Sequence, residues 1–142
     1  MVDVITSCNY PQQHRINRRG LIMTFTLYQR LGEADGIARL VNDVMAAHLV
    51  NPIVKPRFEN IKDMERAKRM AREFFCAGAG GPEPYTGKDM LAAHKGMNIS
   101  EQEYLAVTDD IVGTMEKHKF DEETKSDVIA ILYSLKGDII RV

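Results

Sequence analysis

The chain has no tryptophan, only two cysteines in 142 residues, and no excess of either charge, with 19 Lys and Arg against 20 Asp and Glu. The cysteine count and the charge balance each exclude something. Cys8 and Cys76 are far apart and match no metal-ligand spacing, so they give neither a disulfide framework nor a zinc site, and a cytoplasmic location is expected. Balanced charge removes the basic stripe that nucleic acid or an anionic membrane would need. No apolar run approaches the roughly 18 residues of a membrane span. Small molecules or proteins are therefore the expected partners. No stretch alternates apolar and polar residues for long, so no strand is expected.

What is present is helical periodicity. From Ile37 the apolar positions run Leu40, Val41, Val44, Met45, His48 and Leu49, one face of a helix that stops near Asn51-Pro52. A short piece ends at Phe58. Ile61, Met64, Ala67, Ala71, Phe74 and Phe75 then mark a second amphipathic helix, which Gly78 to Pro84 cannot continue. Asp89 to Lys95 has room for about two turns before Gly96, a suitable helix-ending glycine. Ser100 and Glu103 form a capping box, with Ile99 and Tyr104 as its staple, ahead of Val107, Ile111 and Met115. A last helix follows an Asp121 cap and carries Val128, Leu132, Leu135 and Ile139.

Residues 1–20 are polar, carry Arg15, Arg18 and Arg19, and lack the apolar centre of a secretory signal. Residues 1–24 are read as a flexible extension and 25–142 as one domain. Met23 stands just ahead of the first patterned segment, so the first 22 residues could be a mis-assigned start or a weak organellar presequence.

Two patterns invite chemistry and fail. Five residues separate Gly81 from Gly87 where a phosphate loop needs four, and Asp89 replaces the Ser or Thr that would hold magnesium. The neighbours Asp109-Asp110 and Glu122-Glu123 point in different directions on a helix. His94 is different. It stands on a very short helical segment directly after a Pro-containing loop.

Gly80-Gly81-Pro82-Glu83-Pro84-Tyr85-Thr86-Gly87, Met90-Leu91-Ala92-Ala93-His94-Lys95-Gly96 and Leu27-Tyr28-Gln29-Arg30-Leu31-Gly32 closely resemble the truncated haemoglobins of group I, over residues 25 to 138. The resemblance implies an all-α two-over-two helical sandwich enclosing haem b, with residues 25–142 as a truncated globin domain. It makes His94 the proximal iron ligand, its second ring nitrogen donating to a backbone carbonyl. Phe58 matches the phenylalanine that packs on the haem plane. Phe74, Phe75, Tyr85, Leu91, Ile99, Tyr104, Val107, Ile111, Val128 and Leu132 match cofactor-contacting positions, and Lys62, Arg66 and Lys88 are propionate candidates. Without a C-x-x-C-H motif, the haem is expected to be non-covalent.

The chain departs from the family where a bound gas would sit. Met45 replaces a ligand-binding tyrosine, Val44 a phenylalanine, and Ala67 and Ala71 the residues that are often glutamine or another polar or bulky side chain. The usual hydrogen-bonding network is therefore expected to be missing. Met70 falls where some relatives place an internal sixth ligand and is either that ligand or an apolar filler; Met45 is the second candidate. The segment from Phe58 to Phe74 is one residue longer than in typical members, which leaves one position of play in these assignments. The leading expectation is reversible binding of dioxygen, nitric oxide or carbon monoxide. The alternatives are a six-coordinate His/Met protein for electron transfer or sensing, a nitric oxide dioxygenase or peroxidase-like enzyme served by a separate reductase, and a helical interaction module without haem.

Overall fold

The computed structural model describes residues 13–16 and 18–142. Cys8 and the first half of the extension expected to be flexible lie outside the described residues. Gln13–Ile16 (β1) and Ile22–Phe25 (β2) form an antiparallel hairpin, Gln13 opposite Phe25 and Ile16 opposite Ile22. This corrects the expectation that no strand forms. A four-residue ladder is set by its turn, here containing Gly20 at φ 73°, and by backbone groups that leave no hydrophobic signature.

The rest is helical. Thr26 and Gln29 cap each other reciprocally at the start of α1, Leu27–Arg30. Gly32, at φ 87°, turns the chain into α2, Glu33–Val50. A side chain at Gly36 would collide with the carbonyl of Leu31, so the first turn of α2 closes only on glycine. The expected stripe of α2 is buried from Ile37 through Leu40, Val41, Val44 and Met45 to His48.

Helix α3, Lys55–Phe58, is a single turn. Helix α4, Met64–Gly78, starts one turn later than the apolar pattern suggests, because the Asp63 carboxylate accepts the Arg66 N–H and ends the chain's freedom there. After the glycine-rich loop, α5 spans Met90–His94 and α6 spans Glu101–Lys117 behind the expected Ser100–Glu103 box. Helix α7, Glu122–Leu135, starts at the expected Asp121 cap. Ile139 lies beyond it, after a 3-10 turn at Lys136–Asp138, and not on the helix itself.

Helix α2 packs on α4 and across α6, and α6 packs on α7, giving the two pairs of the sandwich. The core between them holds Leu31, Ile37, Leu40, Val41, Ile111, Met115 and Val128. Arg30 of α1 pairs with buried Asp127 of α7 and donates to Thr124 Oγ1 at 3.1 Å, tying the chain's first turn to its last helix. Among the described residues no helix is long and apolar enough to cross a membrane.

Candidate functional site

The two helix pairs do not close on each other completely. A cavity of about 440 Å³, within the range of small-molecule sites, remains between them. From α2 it is lined by Val41, Val44, Met45 and His48; from α3 by Arg57 and Phe58; from α4 by Ala71, Phe74, Phe75 and Gly78. The α4 residues follow i, i+3, i+4, i+7 spacing, a single helix stripe. The other wall comes from Met90 and His94 of α5, Tyr104, Val107 and Ile111 of α6, and Val128 and Leu132 of α7, with Met97 and Ile99 between α5 and α6.

His94 is partly buried, and its Nδ1 donates to the Met90 carbonyl at 2.8 Å. A carbonyl can only accept, so the proton is on Nδ1 and Nε2 carries the lone pair. A five-residue helix cannot hold such a residue by packing, and α5 buries none of its residues. It is held at its ends. Asp89 caps it through the Ala92 N–H at 2.7 Å. Beyond it, the Gly96 and Asn98 N–H groups both donate to the Val142 carbonyl, at 3.1 and 3.2 Å, and Arg141 N–H donates to Ile99 at 2.9 Å.

His48 is buried to 3 % exposure, stacks on Phe58 with ring centroids 4.5 Å apart, and donates from Nδ1 to Asp110 at 2.7 Å. Burial pushes its pKa below the ordinary value, with Asp110 acting in the opposite direction. At the cavity edge Arg57 forks onto Glu103, at 2.7 and 3.3 Å. That fork, together with the Ser100 N–H, holds the Glu103 carboxyl at about 2. The Tyr104 hydroxyl donates to the Leu132 carbonyl at 2.5 Å, and burial pushes its pKa up to about 12.

The structure therefore brings together Val44, Met45, Phe58, Ala71, Phe74, Phe75, His94, Ile99, Tyr104, Val107, Ile111, Val128 and Leu132. It leaves Ala67, Met70, Tyr85, Leu91, Lys62, Arg66 and Lys88 off the described lining. Met70 precedes Ala71, and one residue turns a helical side chain by about 100°, which takes it out of the stripe that Ala71, Phe74 and Phe75 share. Ala67 is in phase with that stripe but one turn outside it. Tyr85 stands a layer back, edge-on to Phe74 at 5.4 Å. Leu91 is 41 % exposed, and Lys62, Arg66 and Lys88 are exposed as well.

Sequence reasoning missed Arg57 and saw Glu103 only as a cap. His48 falls on the apolar stripe of α2, and the stripe's spacing does not say what it faces. Its spacing from Val44 and Met45 was the available signal. The wall therefore carries the polar groups of His48, Arg57 and Glu103 beside its apolar ones.

The family model for bacterial-like globins matches residues 26–141. The chain belongs to that family. This globin is similar to the group 1 truncated haemoglobin of Tetrahymena pyriformis, 25 % identical over 115 residues that cover 81 % of this chain and 94 % of the relative. It is also similar to a group 1 truncated haemoglobin of Mycolicibacterium paratuberculosis, 26 % identical over 80 % of this chain and 83 % of the relative. Among solved structures, the ferric truncated haemoglobin of T. pyriformis superposes with a TM-score of 0.79 at 24 % identity, covering 83 % of this chain and all of that one. A Synechococcus 2/2 haemoglobin with covalently attached haem superposes at 0.74 and 23 % identity, covering 82 % of this chain and 98 % of that one.

The residues of the cavity fit haem, the group bound by this family of globins. Apolar and aromatic side chains from helices α2 to α7 suit a flat macrocycle, and His94 offers a lone pair on Nε2 with its tautomer already fixed. The Arg57 guanidinium at the edge suits an anionic substituent, although Glu103 already engages it.

Proposed function

We propose that this globin binds haem b non-covalently through His94 Nε2 and holds a diatomic gas, dioxygen, nitric oxide or carbon monoxide, reversibly in the cytoplasm. The observation that carries this reading is the His94 Nδ1–H bond to the Met90 carbonyl inside the cavity wall, since it leaves Nε2 as the only free donor atom of the ring. Haem iron, when bound, supplies the position at which the gas adds. The protein's part would be to present a neutral imidazole, to exclude bulk water with Val44, Phe74, Phe75 and Ile111, and to offer the macrocycle an aromatic surface in Phe58.

Non-covalent binding is supported by the lack of a C-x-x-C-H motif and by Cys76 being buried off the cavity lining. A second reading, a six-coordinate His/Met form for electron transfer or sensing, is favoured by the thioether of Met45 on the α2 side of the wall; Met90 and Met97 line the side that carries His94, and Met70 is not on the lining. Nitric oxide dioxygenation would need a separate reductase and, with Met45 in place of a tyrosine, would lack a donor at that helix position.

Hemin titration followed by absorption spectra of the ferric and ferrous protein tests both readings. Saturable uptake with a high-spin ferric spectrum, unchanged in Met45→Leu, is expected. A low-spin spectrum that Met45→Leu converts to high-spin would establish the six-coordinate form, and no hemin uptake by the folded protein would refute the haem reading altogether.

A further inference from the structure

The cavity wall carries two imidazoles, and the reading above uses only His94. His48 has its Nδ1–H committed to Asp110 at 2.7 Å, so its lone pair is on Nε2. No protein group among the described residues bonds that nitrogen. Nor is it sealed, because the one enclosed, partnerless side-chain nitrogen among the described residues is Arg30 Nε. Nε2 therefore opens onto space that water can enter. For a residue 3 % exposed, that space is the cavity its ring lines.

The ring is also fixed in place. Phe58 stacks on its face, and Asp110, the carboxylate that holds it, accepts a second hydrogen bond from Asn51 Nδ2 at 2.9 Å. The other charged groups on this wall, Arg57 and Glu103, satisfy each other.

We propose that His48, positioned by Asp110, is the proton acceptor of the cavity and selects ligands that carry a proton, such as hydrogen cyanide or hydrogen peroxide, over dioxygen and carbon monoxide. This deepens the haem reading and rests on it. A neutral imidazole with Nδ1–H given to a carboxylate can accept at Nε2 but has nothing to donate there, so it gives no hydrogen bond to a ligand without a proton. A ligand H–X that binds through X passes its proton to Nε2: the H–X bond breaks, its electron pair stays on X, and the imidazolium formed is paired with the Asp110 carboxylate. No oxidant or reductant is consumed. Burial lowers the His48 pKa, which keeps the ring neutral and ready to accept near pH 7.

The test is stopped-flow association of hydrogen cyanide with the ferric haem-loaded protein near pH 7, with carbon monoxide and the ferrous protein as the proton-free control. In His48→Leu and His48→Gln, cyanide association should slow by about 10²-fold or more, the usual contribution of a positioned base, while carbon monoxide rates match wild type. Glutamine keeps a polar side chain but cannot take the proton. A His48→Gln protein that binds cyanide at the wild-type rate overturns the proposal. So does a parallel loss of cyanide and carbon monoxide rates, which would mean altered packing only. Independently of any rate, long-range ¹H–¹⁵N correlation on the diamagnetic carbon monoxide form should show the His48 proton on Nδ1 and Nε2 bare; a proton on Nε2 overturns the proposal even if a variant fails to fold. Failure of the haem reading itself would appear earlier, as absent hemin uptake by the wild type.

Discussion

The two histidines of the cavity are held in opposite ways. His94 is on a five-residue helix that buries nothing, and its partner is the neutral carbonyl of Met90, four residues back in the same turn. His48 is buried in the 18-residue helix α2, and its partner is a carboxylate on a different helix. The difference is one of basicity and freedom. A carbonyl fixes a tautomer while leaving the ring an ordinary neutral donor, as suits a metal ligand that must seat itself on a cofactor. A carboxylate makes a stable partner for an imidazolium, as suits a base that must gain a proton and lose it.

The sharpest way to break the comparison is to remove the acceptor. Asp110→Ala leaves the buried His48 Nδ1–H without a partner and deprives Asn51 as well, and should cost about 1–3 kcal/mol in urea unfolding. Nothing equivalent can be done to the Met90 carbonyl by side-chain exchange, but the seat of α5 can be loosened from the chain's end. Arg141 is at φ 58° and its N–H donates to Ile99, two properties proline cannot reproduce. Arg141→Pro should cost roughly 1 kcal/mol or more and speed hemin loss to an acceptor globin, while Asp110→Ala, for all its larger cost in stability, should affect hemin loss less.

A gentler probe is pH. The folded pKa of His48 is lowered below its ordinary 6.5, so its contribution to stability is fully present above 6.5 and is lost as pH falls below that value, where the unfolded chain takes up a proton that the folded one refuses. Thermal unfolding between pH 8 and 5 should show this slope in the wild type and lack it in His48→Gln. Glu103 gives a separate, lower window. Its carboxyl is held at about 2, so its contribution is present above the ordinary 4.5 and disappears as pH falls from 4.5 towards 2, and Arg57→Ala should flatten the melting profile there while leaving the histidine slope intact.

How much of this could be read from the sequence varied with the kind of signal. The α6 and α7 starts were legible because a capping box and an Asp cap are local chemistry, complete within four residues. The buried stripe of α2 was legible because burial on one side of a helix repeats. The hairpin was not, since backbone pairing has no residue pattern of its own. On α4 the structure puts Ala71, Phe74 and Phe75 on the cavity wall and leaves Ala67 and Met70 off it, because periodicity does not say how far along a helix the cavity reaches, and one position of play rotates a helix by about 100°. His48 and the Arg57–Glu103 fork were invisible as a site because each depends on a partner 46 or more residues away in the chain. Helical periodicity places a residue on a face and says nothing of what another helix brings to meet it.

The most direct test of the account is to empty the His94 seat and refill it from solution. His94→Gly should take up hemin weakly, and added imidazole should restore the wild-type absorption spectrum, because the one hydrogen bond of the ring among the described residues, Nδ1–H to the Met90 carbonyl, can be made by free imidazole as well. The same change at His48 should leave uptake intact. If His94→Gly binds hemin with wild-type affinity and spectrum and without imidazole, His94 is not the iron ligand and the assignment of the two histidines is wrong.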